Sequence, residues 1–196
     1  HGVRLVFFVD ALWLLRLRDD ARRHPVLMAE HYRVARQLDT LAAEGHELQL
    51  HLHPHWLDSH WDGDDWALDL RRYRLHDFAD AEIAAMVTEG ANVLRAHAGS
   101  APVTAFRAGG WCLQPFARLR DPLRAAGICI DSTVYAGGLE EGEGRRYDFR
   151  AAPALGRWRF DDDPLQPRAD GGFLELPIAS QQLPPWFYWQ LAFTKL

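Results

Sequence analysis

The stretch His46-Glu47-Leu48-Gln49-Leu50-His51-Leu52-His53-Pro54-His55 is the most informative part of this chain. Its centre has the apolar content of a buried strand. Four histidines fall within these ten residues. Histidine is the commonest protein ligand for zinc-like metals and is rarely buried without a partner. A strand that ends in such a cluster predicts one wall of a metal site.

Strand and helix patterns alternate along the rest of the 196 residues. Repeating βα units indicate a parallel sheet, either open or closed into a barrel. The predicted strands cover residues 3–9, 47–52, 103–106, 128–130 and 173–178, and the predicted helices cover residues 25–44, 79–98 and 114–126. Ligands in such folds bind at the carboxyl ends of the strands, so polar residues that follow a strand are candidates for a site.

Composition excludes some classes of function. The net charge of −5 gives no basic patch for nucleic acid. No apolar run approaches the roughly 20 residues that a transmembrane helix needs. The length fits one domain over residues 1–196. Cys112 and Cys129 have no zinc-finger or redox spacing, so we expect two buried thiols. Nothing indicates the oligomeric state.

His51 and His55 are the candidate metal ligands. If the chain turns helically after Leu52, two residues four apart share one side, and Pro54 discourages a regular continuation of the strand. His53 would then point elsewhere. A divalent metal with an open coordination position polarises a carbonyl and activates water, as amide hydrolysis requires.

A loop rich in tryptophan and aspartate, residues 56–73, follows the histidines. Aromatic faces stack on sugar rings and carboxylates bond hydroxyl groups, so Trp56 and Trp61 are candidates for contact with a carbohydrate. The alternative is a long loop that its tryptophans pin to the surface.

Four segments resemble successive motifs of the polysaccharide deacetylases, the chitooligosaccharide-deacetylase-like esterases. They are Val6-Phe7-Phe8-Val9-Asp10, Gly45 to His55, Phe106-Arg107-Ala108-Gly109-Gly110-Trp111 and Ile130-Asp131-Ser132-Thr133. The resemblance implies a distorted (β/α) barrel of about seven parallel strands, incomplete in this chain. It also implies a divalent metal, usually zinc, that serves to hydrolyse an N-acetyl group on a sugar.

The resemblance assigns roles to individual residues. His51 and His55 would hold the metal, Arg107 would position the catalytic base, and Asp131 would help to orient the acid. Trp56, Trp61, Trp111 and Asp10 are candidates for contact with the substrate because of their residue types and their positions after predicted strands, and not because of the resemblance.

The match has gaps. The family's first motif, which carries the base and a metal-binding Asp, has no counterpart, and neither has the late motif with the acid His. We therefore expect a fragment that lacks an upstream strand and a downstream motif, with little or no deacetylase activity of its own.

Three functions remain open. The first is a metal-dependent carbohydrate deacetylase that removes N-acetyl or O-acetyl groups. The second is another metallohydrolase, such as an amidohydrolase-type enzyme that uses His51 with His53. The third is a non-catalytic glycan-binding domain of the same fold. Metal ligation by His51 with His55 favours the first, and ligation by His51 with His53 favours the second.

Overall fold

The structure is a computed structural model that describes residues 2–181 and 183–193. Helices and strands alternate through most of this range. The α-helices are α1 (Ala11–Ala21), α2 (Pro25–Ala43), α3 (Asp80–Arg95), α4 (Ala117–Ala125) and α5 (Pro185–Phe193). The strands are β1 (Val6–Asp10), β2 (Glu47–Leu52), β3 (His60–Trp61), β4 (Trp66–Ala67), β5 (Ala105–Ala108), β6 (Ile130–Asp131), β7 (Leu139–Glu141), β8 (Arg146–Asp148), β9 (Trp158–Phe160) and β10 (Phe173–Glu175).

The main sheet is mostly parallel, as the sequence predicted. Its six strands lie in the order β1-β2-β5-β6-β10-β9, and only β9 runs antiparallel to its neighbour. Within the described residues β1 and β9 are the two edges, so the sheet is open and the predicted barrel is not confirmed. Two hairpins, β3–β4 and β7–β8, stand outside this sheet.

One face of β2 packs into the helical layer. Leu48, Leu50 and Leu52 alternate along the strand and are fully buried in the core. Gly90 of α3 allows this close approach, because a Cβ there would lie only 3.0 Å from the side-chain tips of Leu50 and Leu52. The opposite face of β2 therefore carries Gln49 and His51.

The predicted ends of helices and strands agree best with the structure where a glycine or a proline marks the end of an element. α2 and β2 lie within one residue of their predicted ends, since Pro25 opens the helix and Gly45, at φ +84°, separates it from the strand. Helix α1 was not predicted. It begins directly after β1, with the Asp10 side chain accepting a hydrogen bond from the backbone of Trp13 at 3.4 Å.

The cysteines and the helices bear on two further predictions. Cys112 is buried, but Cys129 is exposed, which corrects the expectation of two buried thiols. No helix in the described part of the chain combines the length and apolar character needed to cross a bilayer.

Candidate functional site

Three candidate residues lie in one row at the carboxyl ends of adjacent strands. Asp10 of β1 pairs with His51 of β2, and His51 pairs with Arg107 of β5. Residues in register on neighbouring parallel strands project from the same face of a sheet. The fold thus joins positions that are 41 and 56 residues apart in the chain.

His51 is held in a defined orientation. Its Nδ1 lies 2.8 Å from the carbonyl oxygen of Arg107. A carbonyl can only accept, so Nδ1 carries the proton and Nε2 keeps its lone pair. Burial, followed by the neighbouring His53, lowers the pKa of His51 and favours the neutral ring. A neutral imidazole with a free Nε2 is the form that ligates a metal.

His53 is central to the cluster, contrary to the expectation that it would point elsewhere. Its ring centroid lies 4.4 Å from that of His51. The reason is that His53 stays extended, at φ −108° and ψ 97°, so residues 51 and 53 share one face of the strand. The helical turn begins only at Pro54. Strand periodicity was the signal in the sequence that pointed to His53.

Asp10 orients His53. Its Oδ2 lies 3.0 Å from Nδ1 of His53 and also accepts a hydrogen bond from Nε1 of Trp56 at 2.9 Å. Its Oδ1 accepts from the backbone N–H of His53 at 3.3 Å. A carboxylate can only accept, so Nδ1 of His53 carries a proton, and its Nε2 has no hydrogen bond to another described residue. This geometry gives Asp10 and Trp56 a role in orienting His53, and their contact with a substrate stays a prediction.

His55 is the third imidazole of the cluster. It lies in the 3₁₀ helix Pro54–Leu57, is buried, and stacks on Tyr73 with ring centroids 5.6 Å apart and planes 3° apart. Its ring lies 5.6 Å from that of His53. Burial lowers the pKa of His55, with a further contribution from His53. Its Nδ1 is buried without a hydrogen-bond partner among the described residues.

The donor chemistry of the cluster fits a zinc-class metal in part. Among residues 2–181 and 183–193, no group of three or more His, Cys, Asp or Glu side chains is arranged as a ready metal site. His51 and His53 nevertheless show the pattern of metal-binding histidines, in which Nδ1–H is bonded to a carbonyl or carboxylate and Nε2 is free. The unpartnered nitrogen of His55 is the third candidate donor.

Arg107 contacts a backbone carbonyl and a hydroxyl. Its Nε donates to the carbonyl of Ser132 at 2.7 Å, and its Nη2 donates to the Ser132 hydroxyl at 2.9 Å. Its guanidinium lies 4.1 Å from the centroid of the Phe8 ring. Burial lowers the pKa of Arg107, while the nearby Asp131 and Glu175 act in the opposite direction. The carboxylates therefore act on Arg107 through charge, and Ser132 holds it directly.

Asp131 and Glu175 form a buried pair of carboxyl groups. They lie in register on β6 and β10, and both are essentially inaccessible to solvent. Asp131 accepts hydrogen bonds from the backbone N–H and the hydroxyl of Thr133. Burial and the adjacent Asp131 raise the pKa of Glu175 far above its ordinary range, so Glu175 holds a proton. The sequence analysis missed Glu175, because nothing local marks a partner 44 residues away.

The tryptophans of residues 56–73 serve two purposes. Trp56 contacts Asp10 in the site. Trp61 and Trp66 instead pack against the small core of Leu17, Ala21 and Leu27 on α1 and α2. For Trp61 the structure supports the alternative of a loop pinned to the surface.

Trp111 lies in a second aromatic group. Its ring is 5.8 Å from that of Tyr135 and 6.1 Å from that of Tyr147. The two tyrosine hydroxyls are hydrogen-bonded at 2.8 Å. Trp111 remains partly exposed beside the strand ends, in a position where it can contact a ligand.

Comparisons with known proteins give no relative. No family model, curated protein or solved structure matches this chain.

Proposed function

We propose that this chain is a metal-dependent hydrolase that removes N-acetyl or O-acetyl groups from a polysaccharide or an amino-sugar glycan. The observation that carries the proposal of a metal-dependent hydrolase is the cluster of three histidines at the end of β2, in which Nε2 of His51 and of His53 is left free and the buried Nδ1 of His55 has no partner among the described residues. The motif resemblance supplies the substrate class. It also leads us to propose that the sheet belongs to a distorted (β/α) barrel of about seven strands.

Individual residues of this chain would have different roles in metal binding and catalysis. His51 and His55 would ligate a divalent ion, for which we propose zinc, and His53 would be an additional ligand beside them. The bound ion supplies a polarised carbonyl and an activated water. The Arg107 carbonyl fixes the tautomer of His51, and Asp10 fixes that of His53. The Arg107 side chain places positive charge at the ends of the strands, where negative charge develops during acyl transfer.

A second candidate is an amidohydrolase-type metallohydrolase that uses His51 with His53. The 4.4 Å separation of these rings favours it. The motif resemblance favours His51 with His55. The two candidates therefore predict different ligand pairs and can be separated by single substitutions.

The first experiment measures metal. After incubation with zinc and dialysis, we expect about one ion per chain by elemental analysis. His51→Ala should weaken zinc binding by more than about tenfold under either candidate. A larger loss in His53→Ala than in His55→Ala favours the amidohydrolase-type pair, and the reverse order favours the deacetylase pair. His60→Ala removes an exposed histidine of β3 and serves as the control. The metal site would be refuted if the protein bound no zinc, or if zinc binding were unchanged in His51→Ala, His53→Ala and His55→Ala.

The second experiment measures the reaction. Zinc-loaded protein is incubated with an N-acetylated sugar oligomer, and released acetate is quantified. Release that disappears in His51→Ala supports the hydrolase and places the catalytic base within these 196 residues. Little or no release agrees with the expectation for a deacetylase whose first and late motifs have no counterpart in this chain. Oligomer binding that requires neither zinc nor His51 favours the remaining alternative, a non-catalytic glycan-binding domain.

A further inference from the structure

A cavity beside the histidine cluster is lined by Arg145, which has no ion pair with any other described residue. The cavity measures about 340 Å³, and Tyr73, Glu140 and Arg145 line it together with Leu70 and two glycines of the β7–β8 turn. This volume is at the lower end of the range for small-ligand sites and accommodates one sugar ring.

Tyr73 connects this cavity to the candidate active site. The ring of Tyr73 stacks on His55, and the Arg145 guanidinium carbon lies 5.6 Å from the centroid of the same ring. Tyr73 also packs on the backbone at Gly110, where an added Cβ would lie 2.6 Å from the tyrosine ring. A single aromatic ring therefore separates the cavity from the histidines.

Arg145 lines the cavity without an ion pair among the described residues, and the adjacent Arg146, which also has no ion pair there, does not line it. Arg71, Arg72, Arg74 and Arg150 each pair with an aspartate at 2.5 to 2.7 Å. Arg145 has no ion pair within the described part of the chain, so its guanidinium donors are available to a ligand. A free guanidinium in a cavity matches a carboxylate, which it can bind through two parallel hydrogen bonds.

We propose that this cavity is a subsite for a carboxylate-bearing sugar residue, of the uronic acid type, next to the residue that is hydrolysed. Arg145 binds the carboxylate, and the edge of Tyr73 contacts the ring. Glu140 also lines the cavity, and its Oε1 accepts the backbone N–H of Gly142 at 3.2 Å. It repels the ligand carboxylate and is able to accept from sugar hydroxyls. The proposal rests on the proposed function for the position of the subsite relative to the reaction.

The test is a calorimetric titration of the purified chain with two tetrasaccharides. One alternates a hexuronate with an N-acetylhexosamine, and the other is a neutral N-acetylhexosamine oligomer. Arg145→Gln should weaken binding of the hexuronate oligomer by about tenfold and leave the neutral oligomer unaffected. Arg146→Gln removes the same charge from the adjacent residue, which does not line the cavity, and should have no effect. Glu140→Gln should strengthen binding of the hexuronate oligomer.

Each outcome separates the subsite from the proposed reaction. Equal affinities in Arg145→Gln and Arg146→Gln, or weaker binding in Glu140→Gln, would overturn the subsite. Arg145-dependent binding without acetate release would leave the subsite standing and count against the hydrolase. Acetate release from both oligomers with no dependence on Arg145 would support the hydrolase and overturn the subsite.

Discussion

At the scale of single residues, the indole N–H of Trp56 is one of the donors that fix the candidate site. It bonds the same oxygen of Asp10 that binds Nδ1 of His53. Arg16 of α1 in turn holds the backbone carbonyls of Trp56 and Leu57 at 3.0 and 2.7 Å. The orientation of His53 therefore depends on a chain of contacts that extends beyond the imidazole.

Trp56→Phe tests this orientation. The substitution keeps an aromatic ring but removes the donor to Asp10, so Asp10 is held less firmly and the Nδ1–H tautomer of His53 is less strongly fixed. We expect zinc affinity to fall by about tenfold, as is common when an orienting partner of a ligand is lost. Imidazole ¹⁵N shifts of the metal-free protein should show a mixture of tautomers at His53.

Trp61→Phe is the matched control. The Nε1 of Trp61 has no hydrogen-bond partner among the described residues, so the same chemical change should leave both zinc affinity and the His53 tautomer unaltered. If Trp56→Phe and Trp61→Phe behave alike, the indole N–H of Trp56 does not position the site.

At the scale of elements, the turn after β5 presses against the end of β2. Gly109 begins the 3₁₀ helix Gly109–Trp111. A Cβ at this position would lie 2.3 Å from the carbonyl oxygen of Leu52 and 2.8 Å from the ring of His53. The close approach of these two strand ends holds the histidine cluster against the segment Phe106–Trp111.

Gly109→Ala should disturb this junction. The new methyl group meets backbone, which cannot move aside as a flexible side chain would, so we expect the free energy of unfolding to drop by about 1–3 kcal/mol. Zinc affinity should drop as well, because His53 is displaced. Chemical denaturation and a zinc titration measure the two effects. Gly156→Ala, where an added Cβ has nothing within 4 Å, is the control and should be nearly neutral.

At the scale of the whole molecule, the buried pair of Asp131 and Glu175 makes the free energy of unfolding depend on pH. The pair lies between neighbouring strands in the middle of the sheet, and the backbone N–H of Val134 donates to Glu175 at 3.2 Å. Glu175 has a raised pKa in the folded protein, so it keeps its proton there and loses it in the unfolded chain above its ordinary value of 4.5. The folded state therefore binds more protons, and stability falls as pH rises.

Glu175→Gln should remove this dependence. Glutamine keeps the shape of the protonated acid and cannot ionise, so the free energy of unfolding should change less between roughly pH 7 and pH 9 than it does in the wild type. Denaturation curves at several pH values measure the slope. Glu143→Gln replaces an exposed glutamate and should retain the wild-type slope. A slope that is equal in both variants would show that Glu175 is already ionised in the folded protein.

The sequence alone determined the local elements and the polar strand ends. Proline and glycine marked the ends of α2, and the alternating leucines marked β2, because backbone restriction and burial act over a few residues. The position of His51 at the end of a buried strand followed from the same pattern. Helix α1 was missed because it follows β1 without a break and its cap, Asp10, looks like any polar strand end.

Only the tertiary structure decided which of these residues meet. The register of β1, β2 and β5 places Asp10 beside His51 and His53, and the order of β6 and β10 pairs Asp131 with Glu175. Neither pairing leaves a local mark in the sequence, because it depends on how distant strands align. The role of His53 depends on whether the extended backbone of β2 ends before or after residue 53. The extended backbone at His53 decides it, and this conformation depends on Asp10, which accepts hydrogen bonds from both the backbone and the ring of that residue.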